Sequence, residues 1–162
     1  MPGDERRTPD LPGSVQILRA TWHDVPALIQ LDRRCFKPID GFSWYEFLGL
    51  CVWPGVVALK AVLDEKLIGF IAGDPRPREG HTIIVTLGVD PDYQGHGIGE
   101  QLMRECEARS PRSVPRLQLM VRRSNTRAIN LYRKLNYAIV DTWPRYYGDG
   151  EDAYVMEKRM LK

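Results

Sequence analysis

Three cysteines and three histidines are all that the 162 residues hold, and neither type clusters. Cys35, Cys51 and Cys106 are odd in number and form no C-x-x-C pair, which argues against a disulfide framework. His23, His81 and His96 are too scattered for metal-ligand spacing, so no metal site is expected. Charge of one sign is also lacking. The formal net charge is +2, and no run of five like charges occurs. That balance gives no reason to expect nucleic acid or a membrane surface as partner. No apolar run approaches the ~18 residues of a membrane span. The N-terminal "MPGDERRTPDLPGS" has no apolar stretch of a secretory signal and reads as a disordered arm over 1–13, ahead of one domain over 14–162. A cytoplasmic location is the expectation that follows.

What is present is an ordinary globular composition, 43% hydrophobic and 27% charged, in a length that suits a single core. "SVQILRA" alternates as a strand. Thr21 and Asp24 resemble a helix N-cap pair, and Val25, Leu28, Ile29, Asp32 and Cys35 carry a helix to Phe36. "SWYEFLGL" starts a second, shorter helix. "GVVALKAVLDEKLIGFIAGD" reads as a hairpin turning at Asp64-Glu65-Lys66, and "HTIIVTLGV" is apolar enough for a central strand. Ile98, Leu102, Met103 and Cys106 share a helical face, on which Cys106 serves as a small hydrophobe. "RLQLMV" is a strand. Ser124 or Asn125 caps a helix burying Ala128, Ile129, Tyr132 and Leu135. Two more strands, "YAIVDTW" and "DAYVMEKRM", flank a "GDG" turn. The order β-α-α-β-β-β-α-β-α-β-β predicts one mixed sheet with helices on both faces.

The stretch "VDPDYQGHGIGEQLM" places three glycines, Gly95, Gly97 and Gly99, between a strand and a helix. A glycine-rich entry to a helix N-terminus offers unpaired N–H groups and the positive end of the helix dipole, which suits a phosphate. A tight turn without a ligand is the bland alternative. The dinucleotide fingerprint fails because position 100 is glutamate, and the kinase-type phosphate loop fails because Gly99 precedes Glu100 rather than lysine.

The pattern Q-x-x-G-x-G does fit, with Gln94, Gly97 and Gly99. Here the sequence resembles the GNAT family of N-acetyltransferases, most of all the N-terminal protein acetyltransferases of the ribosomal-alanine (RimI-like) type. "VRRSNTRAINLYRKLNY" resembles the family's next motif, and "RYYGDGEDAYVMEK" its closing hairpin. By element order the resemblance covers nearly all of Val15 to Lys158. It implies an α/β fold: a mixed, mostly antiparallel seven-stranded sheet with helices on both faces and a central V-shaped splay near Leu87–Val89. It implies acetyl-CoA as co-substrate, with the pantetheine arm along Leu87, Gly88 and Val89 and the pyrophosphate on Gln94, Gly95, His96, Gly97, Ile98 and Gly99. Asn125 and Tyr132 would face the cofactor. Tyr132 would protonate the leaving sulfur, and the Val89 backbone N–H would polarise the thioester carbonyl. Phe36, Lys37, Pro38 and Ile39 of the first interhelical segment, with Tyr146 and Tyr147, would bind the acceptor amine.

One position departs from the relatives. They carry a glutamate, or in some a histidine, where this chain has Met120; the partner position of a second tyrosine is Ile83. Gln118 and His81 share faces with those positions; an amide is no base, and a sheet-edge or surface role suits His81 better. The expected activity is therefore acetyl transfer to a primary amine, most readily a protein or peptide N-terminus. Transfer to lysine, a polyamine or another small amine is the alternative enzyme reading, and an acetyl-CoA-binding regulatory module is the non-catalytic one. The expected assembly is a monomer or homodimer.

Overall fold

A computed structural model describes Leu11 and residues 13–160, so the expected N-terminal arm lies outside the described residues apart from Leu11 and Gly13. The elements run β1 (Gln16–Arg19), α1 (Val25–Cys35), α2 (Trp44–Val52), β2 (Val57–Leu63), β3 (Lys66–Arg76), β4 (His81–Val89), α3 (Ile98–Arg109), β5 (Arg116–Arg122), α4 (Thr126–Lys134), β6 (Ala138–Trp143) and β7 (Ala153–Arg159). This is the predicted order.

Local chemistry accounts for most of the boundaries. The Thr21 N–H donates to Asp24 Oδ2 at 2.8 Å, opening a single 3₁₀ turn that leads into α1. Ser43 caps α2: its Oγ accepts from the Glu46 N–H at 3.3 Å while the Glu46 carboxylate accepts from the Ser43 N–H at 2.7 Å. Asn125, not Ser124, caps α4, its Oδ1 accepting from the Ala128 N–H at 3.1 Å. In the β2–β3 hairpin Leu63 pairs with Lys66, and Asp64 and Glu65 both take positive φ, 46° and 66°, the twist that a two-residue turn between right-twisted strands needs.

The sheet has seven strands in the order β1-β2-β3-β4-β5-β7-β6, so β4 is central. Every neighbouring pair is antiparallel except β4–β5. That parallel pair holds only from His81↔Arg116 to Ile83↔Gln118. The sheet therefore opens from Ile84 onward, earlier along β4 than the expected Leu87–Val89.

Two cores cover the faces. Leu102, Met103 and Cys106 of α3 with Ile129 and Leu135 near α4 pack on Leu59, Ile71 and Leu117. Leu28 and Leu31 of α1 with Phe47 of α2 pack on Ala58, Phe70 and Ala72 on the other face. Helix α3 sits so close to the sheet that a Cβ on Gly73 would lie 2.8 Å from Cys106 Sγ, itself fully buried. Gly73→Ala should cost about 1–3 kcal/mol of overpacking. Urea unfolding measures it; a loss below about 0.5 kcal/mol would mean that α3 yields readily.

Candidate active site

The opening of the sheet creates a cleft of about 910 Å³ between β4 and β5. Backbone parity decides what β4 offers to it. The Asp90 N–H donates to Ile68 O at 2.8 Å, and the register continues Val89↔Gly69, Gly88↔Phe70, Leu87↔Ile71. In an antiparallel ladder bonded and unbonded pairs alternate. Gly88 is thus bonded to β3, while the N–H and C=O groups of Leu87 and Val89 point the other way, toward the side where β5 has already departed. A strand edge facing a cavity is suited to an extended amide-bearing chain. The Val89 carbonyl is already engaged, accepting from Gln94 Nε2 at 3.1 Å and from the Cys35 thiol at 3.3 Å. Its N–H is left for a ligand.

The glycine loop follows directly. Gly95 and Gly97 take φ of +86° and +78°, and Gly97 is the N-cap of α3. A Cβ on Gly97 would meet nothing within 4 Å: the position faces open space at the helix N-terminus. Gly99 does something else, since its Cβ would come 3.3 Å from Leu131 Cδ2, so it lets α3 approach α4. The loop is braced from behind by buried Asp90, which accepts from Arg34 Nη2 at 3.0 Å and from the Asp92 N–H at 2.9 Å. An anion would find N–H groups, a dipole and room there, so the residues present fit a diphosphate.

The far wall comes from α4 and β5. Tyr132 belongs to the core on one side and lines the cleft on the other, 8% exposed, its ring 6.0 Å from that of Tyr137. Burial raises its phenol pKa and the neighbouring Tyr147 adds to the shift, so it remains a proton donor at neutral pH. Asn125 spends its oxygen on the α4 cap, which leaves its NH₂ for the cleft. Met120 lines the cleft as well.

Of the other residues singled out from the sequence, Leu87, Gly88, Val89, Gln94, Gly95, Gly97, Ile98, Gly99, Phe36, Tyr146 and Tyr147 all line this one cleft. His96 lies in the loop but does not line it. Lys37 and Pro38 do not either; Lys37 turns to Asp149 at 3.6 Å, while Ile39 of the same segment reaches the cleft. His81 is not at the surface: it is 9% exposed, at the closed end of β4 beside Glu79 Oε2 at 3.3 Å and outside the cleft. Gln118 donates to Glu157 at 2.9 Å. Reasoning from sequence missed Asp40, Cys35, Arg122 and Arg127, which also line the cleft. Only Arg122 carried a signal, as the next residue after Met120 on one face of an alternating strand. Cys35 is no nucleophile: burial, with the charges of Asp90 and Asp32, pushes its thiol up to about 11. Burial likewise pushes the Tyr147 phenol up to about 12.

Among the described residues lining the cleft, Asp40 and Glu100 are the carboxylates, and there is no histidine. Both carboxylates are engaged. Asp40 is bonded through both oxygens by Arg122 at 2.8 and 2.9 Å, and Glu100 is held by Lys134 and Arg104, which lower its pKa. Among the described residues no group of three or more His, Cys, Asp or Glu could hold a metal ion, and no helix is long and apolar enough to cross a membrane.

The family model of the acetyltransferase (GNAT) family matches residues 25–137. The chain is 30% identical over 151 residues to the catalytic subunit NAA10 of the N-terminal acetyltransferase A complex of Arabidopsis thaliana, covering 90% of this chain and 78% of that protein. It is also 30% identical over 156 residues to an N-alpha-acetyltransferase of Saccharolobus solfataricus, covering 86% and 89%. Its fold superposes on the ribosomal-protein-S18-alanine N-acetyltransferase of Escherichia coli with a TM-score of 0.80 at 26% identity, covering 92% and 96% of the two chains.

Proposed function

The chain belongs to the GNAT acetyltransferase family, and from this we propose that it acetylates the N-terminal α-amine of a protein or peptide, using the cleft between β4 and β5. It is an acetyl-CoA-dependent N-acetyltransferase. Acetyl-CoA, when bound, supplies an activated acyl carbon. The outward N–H and C=O of Leu87 would hold its pantetheine arm, and the loop from Gln94 to Gly99 its diphosphate. The Val89 N–H would draw charge from the thioester carbonyl, and Tyr132 would hand its proton to the departing sulfur. Phe36, Ile39, Tyr146 and Tyr147 would form the acceptor side.

The observation that carries the acceptor class is the state of the two cleft carboxylates, both held by cations, with no histidine beside them. An acceptor must then reach the site neutral or lose its proton to water. An α-amine has a pKa of about 7.7–8.0 and lysine one of about 10.4, so the α-amine is cheaper to present as free base by about 3.5 kcal/mol.

The test is labelled acetyl-CoA incubated with peptides bearing a free N-terminus, N-blocked peptides bearing lysine, and polyamines. Label should enter the free N-termini. The pH profile of kcat/KM should rise with an apparent pKa near 7.7–8.0 and move when the acceptor's amine pKa is changed. An inflection that stays put across acceptors and vanishes in His81→Ala would assign an enzyme base and overturn this account. Met120→Glu should raise activity on the acid side of the profile where water reaches that position.

A further inference from the structure

β5 ends at Arg122, and its guanidinium is where three separate parts of the chain meet. Nε and Nη2 donate to Asp40 Oδ2 and Oδ1 at 2.9 and 2.8 Å, in the connection between α1 and α2. Nη1 donates to Asp149 Oδ1 and Oδ2, each at 3.0 Å, and to Glu151 Oε1 at 2.8 Å, in the connection between β6 and β7. The side chain is only 11% exposed, and its Cζ lies 4.2 Å from the centroid of the Tyr147 ring. The other Glu151 oxygen accepts from the Ser124 N–H at 3.0 Å, which ties the same cluster to the entry of α4.

These two connections are the walls between which an acceptor would lie. The α1–α2 connection is anchored at its far end, where Phe42 packs on the core and its N–H donates to buried Asp32 at 3.0 Å, but the stretches that face each other are not: the 3₁₀ turn Pro38–Asp40 contains no buried residue, and Gly148, Asp149 and Gly150 are exposed. They touch each other through Ile39 and Gly148, where a glycine Cβ would stand 2.6 Å from Ile39 Cδ1, and through Lys37 and Asp149. Segments with so few buried contacts hold a fixed spacing only when a directional group spans them. A planar guanidinium has donors enough to bond two carboxylates on different loops at once, and a lysine ammonium does not offer that fork.

We propose that Arg122 is a positioning residue for the acceptor: it sets the separation of the α1–α2 and β6–β7 connections and holds Tyr147 turned into the groove between them. The proposal rests on the reading of the cleft as an acetyltransferase site. Arg122 acts through Asp40, Asp149, Glu151 and Tyr147, while the diphosphate loop stands on α3, away from the cluster. Acceptor binding and acetyl-CoA binding should therefore respond differently to its loss.

The experiment is steady-state kinetics with a peptide that the wild-type protein acetylates, alongside calorimetric titration with acetyl-CoA, for Arg122→Lys, Arg122→Met, Asp40→Asn and the double variant Arg122→Met/Asp40→Asn. The acceptor KM should rise by about tenfold or more in both Arg122 variants, because misplacement of a positioning wall is costly. The acetyl-CoA Kd should stay within about twofold, because Arg122 bonds only Asp40, Asp149 and Glu151 and makes no hydrogen bond to Leu87, Val89 or the Gln94–Gly99 loop. Asp40→Asn should raise the acceptor KM by itself and add nothing on top of Arg122→Met, since the contact is already gone. An acceptor KM that does not move, full rescue by lysine, or a proportional loss of acetyl-CoA affinity overturns the proposal. Where Arg122→Met does not fold, Arg122→Lys and Asp40→Asn decide by the same criteria. A wild-type protein that acetylates no peptide overturns the functional reading and the proposal with it; an active protein with an unmoved KM overturns the proposal alone.

Discussion

Tyr132→Phe should lower kcat by about 10²–10⁴-fold, the usual contribution of a positioned general acid. The substitution deletes one oxygen and leaves the ring, so the contact with Tyr137 and the place of the side chain in the core are retained. Among the described residues no hydrogen bond to the Tyr132 hydroxyl is broken. Burial, with the neighbouring Tyr147 phenol, holds its pKa above the ordinary value, so the group is fully protonated at neutral pH and acts as donor rather than base. The sign for stability follows from the same shift. Whatever the protonated phenol contributes is complete below the ordinary phenol pKa of about 10 and declines only as pH climbs toward the raised folded value. Folding near neutral pH should therefore be indifferent to this titration. The acetyl-CoA Kd should remain within about threefold, because a phenol that serves mainly the departing sulfur adds little to ground-state binding. Single-turnover measurements establish that chemistry limits the rate. A kcat reduced by less than about threefold under that condition would make Tyr132 a packing residue.

Gly97→Val should weaken acetyl-CoA binding by about one to two orders of magnitude, with two causes that can be separated. Gly97 has φ +78°, which a β-branched residue adopts only with strain of about 1–3 kcal/mol. Its Cβ would also project into open space at the N-terminus of α3, where a diphosphate would rest. The protein has room for that side chain; a bound anion does not. Gly97→Ala carries most of the backbone strain with little bulk, so the difference between the two variants measures the steric part. Gly99→Ala is the contrasting control, since its Cβ presses on Leu131 and should disturb the contact of α3 with α4 rather than the anion site. Calorimetry on folded variants checks all three. Unchanged affinity in Gly97→Val would remove the diphosphate from this loop.

The order of elements was legible in the sequence because each rests on neighbours within a few residues. The helix start at Ser43, a cap at Ser124 or Asn125 and the stripe Ile98, Leu102, Met103, Cys106 are local patterns, and the structure realises them, with Asn125 as the cap; the alternation read in β7 is broken where Val155 and Met156 are both buried. Several boundaries moved by a residue or two; the first strand, expected over Ser14–Ala20 and found over Gln16–Arg19, lies at the sheet edge, where pairing to β2 alone decides its length. The glycine loop was legible for the same reason, since a strand, a turn and a helix N-terminus are contiguous.

The cleft itself was decided by partners distant in the chain. Which β4 amides face it depends on the bonding parity with β3, and how far the sheet opens depends on where β5 leaves β4, at Ile83 and Gln118. His81 has the chemistry of a base, but strand pairing buries it at the closed end, on the wrong side of that opening. Asp40 and Glu100 are carboxylates in sequence, yet what they can do is set by Arg122, 82 positions from Asp40, and by Lys134, 34 from Glu100. Local periodicity determined what each segment is, because backbone dihedrals and side-chain spacing act over a turn or two. Only the tertiary structure decided which charges are already spent and which backbone groups remain free, because both depend on contacts that the order of residues does not bring together.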